Sequence, residues 1–244
     1  MNQAAPLPFS AHALFVTRIG VCGMAWNERA ICAVQLPEAT GAETRERMLL
    51  GLHKRHALQP QLGPAAYGAL TAVAELPAFA RQAMADVQVL LAGSNAGFDK
   101  NWADVSAANA ALGILGDMRH DYQTSAADLA HDSKLLPALE WIELDEFAVP
   151  EFHARVYAMT RAIKPGQTAT YGEIANALGR PGAARAVGQA LGANPFAPIV
   201  PCHRVLAAGG KTGGFSGGQG AVTKLQMLEI EGGAWGGTRS LFAA

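Results

Sequence analysis

Short apolar runs rich in β-formers fill Ala13–Thr17, Val21–Trp26 and Ile31–Leu36, separated by only a few residues. This spacing predicts three strands in an antiparallel meander, with Asn27-Glu28 at a tight turn. The period then lengthens. Thr40 and Glu43 have capping-box spacing ahead of a helix running to about Arg55, and a second helix is predicted over Ala78–Leu91, closed by Gly93. Beyond Pro150, Phe152, Val156, Met159 and Ile163 recur at three- and four-residue intervals and form one apolar stripe. Lys164-Pro165-Gly166 stops that helix. Thr170-x-x-Glu173 opens a short one over Tyr171–Leu178, with Gly179 placed for its C′ position. After the turn Arg180-Pro181-Gly182, another helix runs from Ala183 to about Gly192, so the pair reads as a helix-turn-helix. A last helix covers Ala221–Ile230. The fold class is α/β of the α+β kind.

The segment 94–140 breaks the pattern. It is rich in Ala, Asn, Asp and Ser around short apolar groups, and reads as an acidic, partly helical insertion. The predicted division is 1–93 for a sheet-and-helix domain, 94–147 for insertion and linker, and 148–244 for a mainly helical domain. Half of the 244 residues are hydrophobic, enough for a sizeable core. No apolar run reaches the ~18 residues of a membrane span, and no secretory signal opens the chain. Three cysteines make no disulfide framework, so a reducing cytoplasm is the expected compartment. The net charge of −1 is unevenly shared. Residues 1–150 hold 10 Lys/Arg against 16 Asp/Glu, and residues 151–244 hold 9 against 4. A polyanion would meet the second part.

The chemistry centres on Pro201-Cys202-His203-Arg204-Val205. A free thiol titrates near ~8.5 and a neighbouring cation or imidazole lowers that, so Cys202 is expected as a thiolate nucleophile. His203 takes its proton directly or through a water, and a carboxylate beyond the imidazole would orient it. Glu231, at the end of the last helix and just before Gly232, is the candidate. Asn194 would pin the turn presenting Cys202. Cys22 and Cys32 lie in strands and read as structural. The helix after Ala183 is nearly bare, with Arg185 its one cation. That composition suits either tight helix packing or close approach to a narrow groove.

Other motifs fall short. Val205 to Thr212 resembles a phosphate-binding loop whose first Gly is replaced by Val205. His53 and His56 share a helix without a third ligand. His120-Asp121 and His131-Asp132 match no zinc spacing. No metal and no cofactor is expected.

Taken together, Thr170-Tyr171-Gly172-Glu173, Ala183-Ala184-Arg185-Ala186-Val187-Gly188, Asn194-Pro195, the cysteine motif, Gly214-Phe215-Ser216-Gly217-Gly218 and Lys224 to Gly232 make about Val149–Gly232 similar to the O6-alkylguanine-DNA alkyltransferases. The strands Ile19–Leu36 resemble that family's N-terminal domain less specifically. The resemblance implies a ribonuclease-H-like N-terminal domain and a winged helix-turn-helix that enters the minor groove of DNA. It implies repair by base flipping and irreversible, single-turnover transfer of the alkyl group to Cys202, on double-stranded DNA carrying O6-alkylguanine. The implied roles are activation of Cys202 by His203, a water and Glu231, with Asn194 as brace. Arg185 is the finger that fills the duplex gap. Tyr171 and Lys224 serve the leaving guanine. Ala183, Ala184 and Gly188 meet DNA, and Val205 and Ser216 line the base pocket. The protein is expected to be a monomer that can cluster on DNA, away from membranes.

Two departures stand out. The 94–140 insertion occupies a point where the family has a short connector, and reads first as surface embellishment, because long loops close at small entropic cost, and second as a contact for DNA, another protein or a neighbouring copy, of which its acidity disfavours DNA. Phe215 alters the pocket's width or polarity. Two rival readings remain. The thiol argues against a lesion sensor, because the alkyltransferase-like sensors have tryptophan at the Cys202 position. Cys22 and Cys32 are too few for the zinc domain of a methylation-switched regulator.

Overall fold

The structure, a computed structural model, describes residues 11–56, 76–92, 136–137 and 139–232. The predicted insertion therefore lies almost wholly outside the described residues.

The predicted meander is present. β1 (Ala11–Thr17), β2 (Gly20–Trp26) and β3 (Ile31–Gln35) form one antiparallel sheet in that order. The β2–β3 turn is closed by Asn27, whose Oδ1 accepts from the backbone N–H groups of Arg29 and Ala30 at 2.9 and 2.8 Å. α1 (Gly41–His56) starts where Thr40 Oγ1 accepts from Glu43 N at 3.2 Å. α2 (Ala78–Ala92) is buried along most of its length, and its buried polar residues are bonded: Gln88 Nε2 donates to Val16 O at 2.8 Å, and Asp86 accepts from Trp141 Nε1 at 2.9 Å. Cys22, Cys32 and Cys202 are all free and buried. Burial raises the Cys22 thiol to about 12 despite a hydrogen bond with Thr17, and it pushes Cys32 up as well, so both rest as inert core thiols.

α3 (Glu151–Arg161) carries the predicted stripe. Val156 is fully buried, as is Ile163 just past the helix end at Arg161, with Phe152 and Met159 packed beside them. Tyr157, missing from that stripe, is also buried and donates from its hydroxyl to Ala190 O at 3.0 Å, which fixes α3 against the helix that holds Ala190. Two-residue strands β4 (Ala169–Thr170) and β5 (Val205–Leu206) pair in parallel. α4 (Tyr171–Ala177) has the full capping box. Glu173 N donates to Thr170 Oγ1 at 3.1 Å, and Thr170 N donates to Glu173 Oε2 at 2.6 Å. Gly179 has φ +69°, the left-handed conformation that a helix stop of this kind requires. α5 (Ala184–Gly192) completes the helix-turn-helix, and α6 (Ala221–Ile230) closes the described chain.

The two parts share a core. The edge strand β3 is extended by parallel bridges Ile31–Leu144 and Val34–Phe196, and Val34 N donates to Pro195 O at 2.8 Å. Arg55 of α1 binds Cys32 O and lies 5.4 Å from the centre of the Phe196 ring. The sheet thus grips the segment that leads into Cys202.

Candidate active site

Cys202, His203 and Arg204 form a single 3-10 turn, with all three side chains buried. Asn194 shapes its approach. Its Nδ2 donates to Val200 O at 2.9 Å, and its Oδ1 accepts from Phe196 N at 2.9 Å. Both halves of the amide are used, so the loop from 194 to 200 is held as one rigid turn.

Glu231 reaches back into the core as its position at the end of α6 predicts. Its Oε1 lies 2.8 Å from His203 Nε2, and its side chain is 1% exposed. Sequence reasoning missed Arg204. Its Nε and Nη2 donate to the two oxygens of Glu231 at 2.9 and 2.8 Å, and Nη1 donates to Ile163 O at 2.5 Å. The residue next to His203 is thus the clamp on the carboxylate. Its presence in the motif was the available signal, but sequence gives no facing direction.

These contacts fix the protonation pattern. Burial works against the Glu231 carboxylate, but His203 and the two-pronged bond from Arg204 outweigh it and hold the group down at about 2. A permanent carboxylate accepts, so His203 Nε2 carries the hydrogen. Burial, aided by Arg204 and Lys224 and opposed by Glu231, keeps the imidazole below its usual range. His203 is therefore neutral, and Nδ1, buried and without a hydrogen-bond partner among the described residues, presents a lone pair.

The expected resting thiolate is not found. Burial pushes the Cys202 thiol up, and this outweighs the opposing Asn194 contact and the charge of Lys224. Cys202 is only 8% exposed, and the solvation lost outweighs the help of its sequence neighbours. Thiol and imidazole rest as a neutral pair.

A cleft of about 520 Å³ opens on Cys202 between α5 and the loop 213–217. Tyr171, Ala184, Arg185, Gly188, Cys202 and Ser216 line it. Arg185 stands exposed in the first turn of α5. Tyr171 donates to Gly214 O at 3.2 Å, with its ring 3.8 Å from where a Cβ on Gly188 would lie. Gly188 lets the bare helix approach the ring. Ala183 caps α5 without lining the cleft. Val205 also departs from expectation. It is fully buried behind the cleft and contributes its carbonyl, which accepts from Lys224 Nζ at 2.6 Å. Lys224 is fully buried, 5.8 and 5.9 Å from the centres of the Tyr171 and Phe215 rings. Burial, against the pull of Cys202, lowers it to about 8. Burial and then Cys202 push the Tyr171 phenol up, so it keeps its proton.

His53 is exposed on α1, and His56 shares the helix. The histidine-aspartate pairs of the insertion lie outside the described residues. Among the described residues no group of three or more His, Cys, Asp or Glu is placed to hold a metal, and no helix is long and apolar enough to cross a membrane.

Comparison with known proteins matches this region. Residues 151–233 fit the family model of the 6-O-methylguanine DNA methyltransferase, DNA binding domain. A methylated-DNA–protein-cysteine methyltransferase of Mycobacterium leprae is 50% identical over 95 residues, covering 36% of this chain and 56% of that protein. The Salmonella typhimurium protein of the same name is 49% identical over 81 residues, covering 33% and 46%. The matched segment thus spans about half the length of these curated relatives. A solved structure of Mycobacterium tuberculosis OGT in complex with DNA aligns over 91% of this chain and 92% of that one, with TM-score 0.53 and 24% identity, a likeness of fold across both parts. Residues 151–233 of this chain are thus similar to the DNA-binding domain of the 6-O-methylguanine DNA methyltransferases.

Proposed function

We propose that this chain repairs DNA by direct reversal, flipping O6-alkylguanine out of the duplex and transferring the alkyl group irreversibly to Cys202. The observation that carries this reading is the line from a buried thiol through a neutral imidazole to a clamped carboxylate, at the floor of a cleft beside a helix-turn-helix. The family match and the relatives' names support it.

The neutral resting pair suits a reagent that must survive until it meets damage. A base entering the cleft excludes water. The Cys202 proton passes to His203 Nδ1 through one bridging water, and Glu231 stabilises the imidazolium that forms. Sulfur attacks the alkyl carbon in line, and the carbon–oxygen bond breaks. The electron pair stays on guanine O6, and the base takes up a proton from Tyr171, with Lys224 restoring the phenol. The product is a thioether at Cys202, which water does not readily displace, so each molecule acts once and needs no cofactor. Arg185 fills the gap in the stack, where extrusion costs a few kcal/mol. Ala183, Ala184 and Gly188 bring the backbone of α5 close to DNA, and Ser216 borders the base. In this reading residues 148–244 form the working domain, 1–93 its support and 94–147 the insertion and linker. The protein acts as a cytoplasmic monomer that can cluster on DNA.

The test is intact-protein mass after mixing with a duplex containing one O6-methylguanine. The reading requires one added methyl in the wild type, none in Cys202→Ala, and plain guanine left in the DNA. Binding without mass gain would make the protein a lesion sensor.

A further inference from the structure

Two clefts reach the thiol. The second, about 510 Å³, lies between the two parts of the molecule and also ends at Cys202. Met48, Gly51 and Lys54 of α1 face Pro195 and Phe215 across it. A thin wall built from Leu191-Gly192 and Phe215-Ser216 borders both clefts. That wall is fixed, because Ser216 Oγ donates to Gly192 O at 3.1 Å and Arg47 Nη2 donates to Ser216 O at 2.6 Å.

In-line displacement needs such a space. Sulfur, carbon and guanine oxygen stand in a row, so any substituent on the carbon projects sideways from that row. With the base in the first cleft, a bulky substituent must leave through the wall's far side. The second cleft offers apolar contact near the thiol and positive charge further out. Arg47, Lys54 and Arg55 line it, and among the described residues no carboxylate does. Arg47 is paired with Glu38 at 2.7 Å, and Arg55 is held by Cys32 O near Asp145. Lys54 is exposed and joins no ion pair among the described residues, so its charge faces the cleft uncompensated.

We propose that the cleft between α1 and the Pro195–Phe215 face receives the body of large O6-alkyl groups, and that Lys54 selects those ending in an anion. This rests on Cys202 being the alkyl acceptor. Complementary charge at an open site sorts ligands without creating much affinity.

Gly51 offers a clean probe, since a Cβ built there meets nothing within 4 Å. Wild type, Lys54→Glu and Gly51→Trp would be reacted with O6-(4-carboxybenzyl)guanine, O6-benzylguanine and O6-(4-aminomethylbenzyl)guanine, with rates read by intact mass. The carboxylate-to-amine rate ratio should fall about fivefold or more in Lys54→Glu, the scale of one exposed charge pair reversed. Gly51→Trp should slow the benzyl probes relative to an O6-methylguanine duplex. An unchanged ratio in Lys54→Glu, or equal slowing of methyl and benzyl transfer in Gly51→Trp, overturns the inference. Wild type that accepts methyl but ignores probe charge sinks this inference alone, whereas wild type that accepts no methyl sinks the parent reading with it.

Discussion

Replacing Glu231 by Gln removes one negative charge and leaves the shape nearly intact. The consequence falls first on Arg204, whose side chain is 6% exposed and donates to both Glu231 oxygens. A Gln amide offers one acceptor and turns an NH₂ group toward a donor. The guanidinium keeps Ile163 O but becomes a buried cation without a counter-charge, a change worth about 3–5 kcal/mol. Titration gives a similar figure. The carboxyl is held at about 2 against an ordinary 4.5, and 2.5 units correspond to about 3 kcal/mol. The sign follows from the depressed value. This stability is fully present above pH 4.5 and is lost as pH falls through about 2, below which the carboxyl is protonated in both states. Urea unfolding at pH 7 should therefore show a midpoint lower by about 1.5 M for a slope near 2 kcal/mol per molar. Alkyl transfer should slow by roughly 10²-fold or more as His203 loses its orienting acceptor, with DNA affinity nearly unchanged. A loss below about 1 kcal/mol together with an unchanged rate would refute the clamp. A binding defect as large as the rate defect would make Glu231 merely structural.

On the role in extrusion proposed for its side chain, Arg185→Ala should weaken repair of duplex lesions far more than reaction with free O6-benzylguanine; equal losses would contradict that role. Gly213→Ala should destabilise by about 2 kcal/mol or more and disturb Tyr171, because φ is +70° and the new Cβ would lie 2.8 Å from the ring. Gly179→Ala, equally left-handed at φ +69° but open around its Cβ, should cost only about 1 kcal/mol, and thermal melts compare the two. Lys224→Met tests the buried cation. The wild-type folded value near 8 lies below the ordinary 10.5, so between those pH values wild-type stability should gain about 3 kcal/mol relative to the variant, the raised thiols of Cys22, Cys32 and Cys202 acting on both proteins alike.

Elements with a strong local signal were legible. Thr170 and Glu173 announce a helix start because the two residues satisfy each other's backbone, a rule confined to four positions. Gly179 announces a stop for the same local reason. Glu231 was legible through its place at a helix end and the family resemblance. Quantities set by tertiary packing were not. The cation and imidazole beside Cys202 suggested a thiolate, but burial is decided by Phe196, Tyr157 and the β-sheet, none adjacent in sequence. Tyr157 escaped the apolar stripe because its hydroxyl, aimed at Ala190, makes it half polar. The Arg204–Glu231 pair spans 27 positions, and only folding shows which side of the turn each residue faces.

β3 is an edge strand whose Ile31–Val34 stretch is almost wholly buried. An exposed apolar edge recruits strands from other molecules. Here the chain around Leu144 and the chain entering the cysteine turn occupy that edge. The segment that leads into Cys202 therefore also keeps the sheet from polymerising. Lesions that undock the cysteine turn should cost solubility as well as chemistry. Selection against aggregation would then preserve the geometry of the cysteine turn independently of its chemistry.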